Sequence, residues 1–119
     1  MAEIQAKLQS LSEEFQKLQS ELQTTIASRQ KLEAQKTENL GVSGEFKKLK
    51  DGEEIYKLVG PVLLKQDKVE AEGTVNGRLE FIGKEIDRQE AQIKEVQEKI
   101  ENIKAEIIKI QSSAQSAGA

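Results

Sequence analysis

Proton-transfer chemistry in this chain would have to come from carboxylates, because histidine and cysteine are both absent. Losing histidine removes the commonest general base and the commonest metal ligand, and losing cysteine removes thiolate chemistry and disulfides. The adjacent acidic pairs are Glu13-Glu14 and Glu53-Glu54. Both lie in solvated stretches without the apolar surroundings that set a general acid apart from a general base, and no cleft is in prospect to hold a substrate. Gly73-x-x-x-Gly77 lacks the long apolar context of a membrane helix pair, and no glycine-rich loop follows a strand to cradle phosphate. The densest basic cluster, Lys47, Lys48 and Lys50, runs at once into Asp51, Glu53 and Glu54. The formal net charge is −3 with the two signs interleaved, which suits a solvated helix end and argues against a nucleic-acid surface. No catalytic residue, metal or cofactor is expected. The chemistry left to this chain is that of apolar side chains, which means binding.

Those side chains fall into two kinds of pattern. From Glu53 to Asp67, EEIYKLVGPVLLKQD, the helical spacing stops, and Ile55, Tyr56, Leu58, Val59, Val62, Leu63 and Leu64 crowd around Gly60-Pro61. β-branched, aromatic and aliphatic residues about a Gly-Pro predict two short strands and a tight turn. Either glycine takes a left-handed conformation ahead of a fixed-φ residue, or the proline opens the second strand, where a missing N–H does least harm. Pairing Val59 with Val62 puts Ile55, Val59, Val62 and Leu64 on one face and Tyr56, Leu58 and Leu63 on the other. Both faces are then apolar. An isolated hairpin is marginal in water and both its edges are templates for further strands, so partner chains are expected to complete it. The competing reading is a hairpin folded down onto its own helices.

The flanks are helical. Ile4, Leu8, Leu11, Phe15, Leu18 and Leu22 are spaced alternately by four and three, a heptad seam. Carried onward, it meets Thr25, Arg29, Leu32, Lys36 and Asn39, unless the register shifts to Ile26. Gly41 and Gly44 each cost a helix about 1 kcal/mol relative to alanine. The first helix is therefore expected over 1–50, weakened between Gly41 and Gly44, with a break near Gly41 as the alternative. Asp51-Gly52 is a plausible stop. After the hairpin, Asp67-Lys68-Val69-Glu70 matches a capping box. Gly73, Asn76 and Gly77 make the next turns poor helix, and Asn-Gly also suits a hairpin turn. From Val75 the seam is regular: Leu79, Ile82, Ile86, Gln89, Ile93, Val96, Ile100, Ile103, Ile107 and Ile110. Gln89 alone interrupts it, as a residue that sets register at some cost in stability. The second helix is expected over 68–110, with 111–119 a disordered tail.

With only 3% aromatic and 33% charged residues, a large globular core is not in prospect. The expected fold is mostly α, a single domain over 1–110. It is a long antiparallel two-helix coiled coil linked by one β-hairpin, with the hairpin at one end and both termini at the other. Ile4, Leu8 and Leu11 then lie near Ile103, Ile107 and Ile110 and form an apolar tip, which is either ordinary seam packing carried to the end of the coil or a candidate site for binding other chains, since helix ends fray at low cost. No apolar run approaches the roughly 20 residues that span a bilayer, and MAEIQAKLQS lacks a signal core. A cytoplasmic protein without membrane contact is expected.

The layout helix, single hairpin, helix resembles the prefoldin family, specifically its β-class subunits. The α-class carries two hairpins. The residues that carry the likeness are EIYKLVGPVLLKQD, Glu54 to Asp67, and RLEFIGKEIDR, Arg78 to Arg88, which resemble one β-class subunit of the eukaryotic heterohexamer. This resemblance implies an ATP-independent co-chaperone. Two α-class and four β-class subunits join their hairpins into a β-barrel from which six coiled coils extend. Their tips hold unfolded chains, actin and tubulin among them, and pass them to the cytosolic group II chaperonin TRiC/CCT. On that reading the assembly residues are those of the hairpin and the client-binding residues are Ile4, Leu8, Leu11, Ile103, Ile107 and Ile110. The alternative is a structural coiled-coil tether without chaperone activity.

Overall fold

The computed structural model describes residues 1–118, with side chains described through Ser116. The order of elements is α1 (Ala2–Lys48), β1 (Ile55–Val59), β2 (Val62–Gln66) and α2 (Lys68–Gly118). Two long helices joined by one antiparallel hairpin are thus the fold. The chain forms two compact units, one of Met1–Arg29 with Arg88–Ala119 and one of Gln30–Asp87.

In the first unit the helices run antiparallel, as the cross-helix pairs require: Lys7 meets Glu106 while Arg29 meets Glu90. Numbers rising on one helix match numbers falling on the other. The heptad seams face each other, and Leu11, Leu18, Val96, Ile100 and Ile103 form the buried core, with Phe15, Leu22, Ile107 and Ile110 packed against it. Each fully buried side chain of this size contributes about 1.5–3 kcal/mol. The register continues through Thr25, which is only 8% exposed, whereas Ile26 is 37% exposed. No shift to Ile26 occurs. Thr25 tolerates the position because its Oγ1 donates to the Glu21 carbonyl at 3.0 Å, satisfying the hydroxyl within its own helix.

A polar layer follows. Gln89, 7% exposed, donates from Nε2 to Ser28 Oγ at 2.9 Å, and its Oε1 is buried without a partner. Beside it the Arg29 guanidinium donates to Glu90 Oε1, from Nε at 3.1 Å and also from one Nη. A buried carbonyl without a donor costs about 1–3 kcal/mol. Gln89→Leu is accordingly expected to raise the melting midpoint by about 4 °C or more, since about 1 kcal/mol moves a chain of this size by that amount. A circular-dichroism melt of the two proteins checks it; an unchanged or lower midpoint would mean that the Ser28 contact outweighs the orphaned oxygen.

In the second unit, Ala71, Val75, Ile82 and Ile86 of α2 are buried. Helix α1 passes Gly41 and Gly44 without a break, and α2 passes Gly73, Asn76 and Gly77 likewise. The local cost of each glycine is small beside the burial that packing of the helix face supplies. Asp67 caps α2, its Oδ2 accepting from the Glu70 N–H at 3.3 Å. Helix α1 stops at Lys48, short of the expected Lys50. Asp51-Gly52 then forms the centre of a separate turn, in which Glu53 N–H donates to the Lys50 carbonyl at 3.1 Å and Gly52 has φ +87°. Positive φ at that third position marks a type II turn, which glycine fills without strain. At the other end α2 runs to Gly118, past the boundary at 110 beyond which a disordered tail was expected; Ala119 lies outside the described residues. Gln111 to Ala117 contain no proline, and alanine and glutamine are helix formers, so the preceding turns propagate.

Candidate functional site

The hairpin pairs Val59 with Val62, Leu58 with Leu63, Lys57 with Leu64, Tyr56 with Lys65 and Ile55 with Gln66. The turn is two residues long. Gly60 has φ +59° and no other residue in it is positive, the pattern of a type II′ turn, whose twist matches that of the strands. Both alternatives for Gly60-Pro61 are thereby decided: glycine takes the left-handed position, and the proline sits in the turn before β2 rather than within it. The two faces are as the alternation dictates; the base of the hairpin, at Ile55, Tyr56 and Gln66, lines a groove with Val42, Phe46 and Val75 of the helices, and the rest of both faces stays exposed. Tyr56, Leu58, Val59, Val62, Leu63 and Leu64 are all exposed, Leu58 at 68% and Leu63 at 63%, and Ile55 is half-buried.

The two-residue turn also assigns the backbone. The closing pair Val59/Val62 exchanges both hydrogen bonds, and alternate pairs do so after it, so Leu58/Leu63 and Tyr56/Lys65 point their N–H and C=O groups outward. Each edge therefore offers a ladder for one more strand.

The strand base carries one polar network. Tyr56 Oη donates to Glu54 Oε2 at 2.7 Å, and Lys65 Nζ lies 2.9 Å from Glu54 Oε1. The Lys65 hydrogen bond, then the Tyr56 hydroxyl, hold the Glu54 carboxyl below its ordinary pKa. The same carboxylate raises that of Tyr56, first through the hydrogen bond and then through its charge. The Glu54 contribution is present above the ordinary glutamate range and is lost as pH falls through the depressed value. That of Tyr56 is present below the ordinary phenol range and is lost as pH rises through the raised one. The network therefore holds at neutral pH. Glu54→Gln is expected to bring the Tyr56 titration down toward its ordinary midpoint. Phenolate absorbance reads this directly, because Tyr56 is the only tyrosine and tryptophan is absent; an unmoved midpoint would remove Glu54 as the cause.

The second candidate surface lies where the helix ends meet in the first unit. Its six expected residues divide. Leu11 and Ile103 are buried in the core, while Ile4, Leu8, Ile107 and Ile110 are half-buried. Glu3, Ile4, Lys7, Glu106, Lys109 and Ile110 line a shallow depression together with Ser113. Sequence spacing passed over Ile108, which is 63% exposed one position off the seam. It also passed over Phe81, exposed beside the buried Ile82. The signal for both was present, since a large apolar residue adjacent to a seam position must face away from the seam. Among the described residues no helix is long and apolar enough to cross a membrane.

The family described as "Prefoldin subunit" matches residues 9–114. The chain is 43% identical over 111 residues to prefoldin subunit 6 of Saccharomyces cerevisiae, covering 93% of this chain and 97% of that protein. It is 42% identical over 120 residues to prefoldin subunit 6 of Homo sapiens, covering 100% of this chain and 93% of that one. The crystal structure of the prefoldin beta subunit from Thermococcus strain KS-1 superposes with a TM-score of 0.78 at 26% identity, over 85% of this chain and 89% of that chain. The blocks Glu54 to Asp67 and Arg78 to Arg88 resemble the same sixth subunit of the eukaryotic heterohexamer. With one hairpin between two antiparallel helices and these relatives over nearly its whole length, the chain belongs to the prefoldin family, as a β-class subunit akin to subunit 6.

Proposed function

We propose that this chain is one subunit of a hexameric prefoldin, an ATP-independent holdase of the cytoplasm that acts without catalysis. It joins α- and β-class subunits through its hairpin. The helix-end cluster of Ile4, Leu8, Leu11, Ile103, Ile107 and Ile110, with Ile108 added, takes hold of unfolded polypeptides. Actin and tubulin are the clients in this reading, and the group II chaperonin TRiC/CCT is the receiver. The observation that carries the reading is the hairpin: Tyr56, Leu58, Val59, Val62, Leu63 and Leu64 are exposed on its two faces, and among the described residues no third strand pairs with either edge. A surface of that kind favours association over solvation.

The test is native mass of the chain alone and after mixing with an α-class prefoldin subunit, followed by aggregation of denatured actin in the presence of the mixture. A hexamer that suppresses aggregation without ATP is the expected result. A chain that stays monomeric or forms only a helical dimer, and binds one folded partner while ignoring denatured protein, would instead be the structural tether.

A further inference from the structure

The hairpin is too small to be the whole of an assembly interface. A stable interface draws about 20–30 residues from each partner, whereas the strands are five residues each and would be shared between a neighbour on either edge. When edges pair into a closed sheet, one apolar face turns inward. The other still needs cover.

The second unit holds a surface that fits this need. A groove beside the hairpin is lined by Ile55, Tyr56, Val42 and Val75 and by Arg78. A further groove of about 560 Å³ shares Val42, Val75 and Arg78 and continues to Phe81. The two thus form one track from the hairpin along the helices. Phe81 is 64% exposed and Val42 39%, exposed apolar side chains of the kind that mark an interaction site, set among Gln35, Glu38, Asn39 and Arg78 on the same groove. Gly77 also lines this track, and a Cβ built there would meet nothing within 4 Å. The same holds at the other described glycines, so Gly77 leaves room on the track without by itself marking it.

We infer that the track from Val42 and Val75 to Gly77 and Phe81 is a second part of the subunit interface, and that it takes the outward apolar face of a neighbouring subunit's hairpin. The inference rests on the reading of the chain as an assembling subunit and names what that reading leaves open, which surface besides the hairpin is buried.

The experiment is a dilution series of the complete chain mixed with an α-class prefoldin subunit, followed by native mass, for the parent, for Val42→Ser with Phe81→Ser, and for Gly77→Gln. The serine pair is expected to raise the concentration at which the hexamer half-dissociates by about tenfold or more, the size of withdrawing a buried aromatic anchor from an interface. Gly77→Gln is expected to do the same while raising the melting temperature of the isolated chain, a combination that general destabilisation does not produce. If the parent assembles and both variants assemble as well as it does, the track is not an interface. If they also lose suppression of aggregation while assembling normally, its occupant is a client chain. A parent that does not assemble overturns the functional reading itself.

Discussion

Proline at Leu58 together with proline at Leu63 is expected to leave the chain helical and to abolish its incorporation into a hexamer. The reason is the direction in which these backbone groups point. Both residues belong to the non-hydrogen-bonded pair next to the type II′ turn, so their N–H groups face the open edges and not each other. Proline there removes no internal ladder bond, and its φ is compatible with an edge strand. What it removes is the donor a neighbouring strand needs, and it leaves that neighbour's acceptor buried and unpaired. Each loss costs about 1–3 kcal/mol, so the two together cost roughly 2–6 kcal/mol, or about thirtyfold to more than ten-thousandfold in assembly. Proline at Lys57 or Leu64 is the contrasting case. Those residues face each other across the ladder, and the hairpin itself should come apart. Native mass with an α-class partner reads the first effect, and circular dichroism confirms that the helices persist. A hexamer of ordinary stability from the Leu58/Leu63 variant would mean that the edges are not the route of assembly.

Serine at Ile4, Leu8, Ile107, Ile108 and Ile110 is expected to weaken suppression of client aggregation about tenfold or more while leaving assembly and most of the fold intact. These residues surround the helix ends without forming the core, since each is half-buried or exposed. Their apolar surface is within reach of another chain at little cost in folding free energy, because terminal turns open far more readily than the whole. Leu11 and Ile103 behave differently. Both are buried in the cluster with Leu18, Val96 and Ile100, and truncating either to alanine should cost about 2–5 kcal/mol of stability. The two classes separate binding from folding. In an aggregation assay with denatured actin, the peripheral variant should need about tenfold more protein, or more, for half-maximal suppression, with an unchanged hexamer mass. Suppression equal to the parent's would remove the helix ends as the client site.

Much of this was legible in the sequence because it depends on period. Spacing by three and four set the seam from Ile4 to Leu22, and its extension onto Thr25 holds although threonine is a poor core residue. Periodicity decides which face turns inward, and the hydroxyl's bond to Glu21 keeps that face tolerable. Alternation about Gly60-Pro61 likewise placed every hairpin side chain on its face, since a two-residue turn permits one register. The likeness of Glu54 to Asp67 to the prefoldin hairpin pointed to the family that the matches then show.

Depth and continuity were not legible in the same way. Leu11 and Ile4 occupy equivalent seam positions, yet one is core and the other rim, because Ile4 lies in the first turn of α1 and has no preceding turn of its own helix to help cover it. Glycine penalties at Gly41, Gly44, Gly73 and Gly77 are local, and whether a helix survives them depends on packing contributed by the other helix.

The sequence by itself determined the elements, their order, the hairpin's register and the seam, since each follows from spacing and turn chemistry within a short stretch. Only the tertiary structure decided that Gln89 meets Ser28 and leaves an oxygen unpaired, and that the base of the hairpin lines a groove with Val42 and Val75 while the rest of it stays exposed. Those facts depend on which residues from distant parts of the chain arrive at the same place, and no local pattern carries that information.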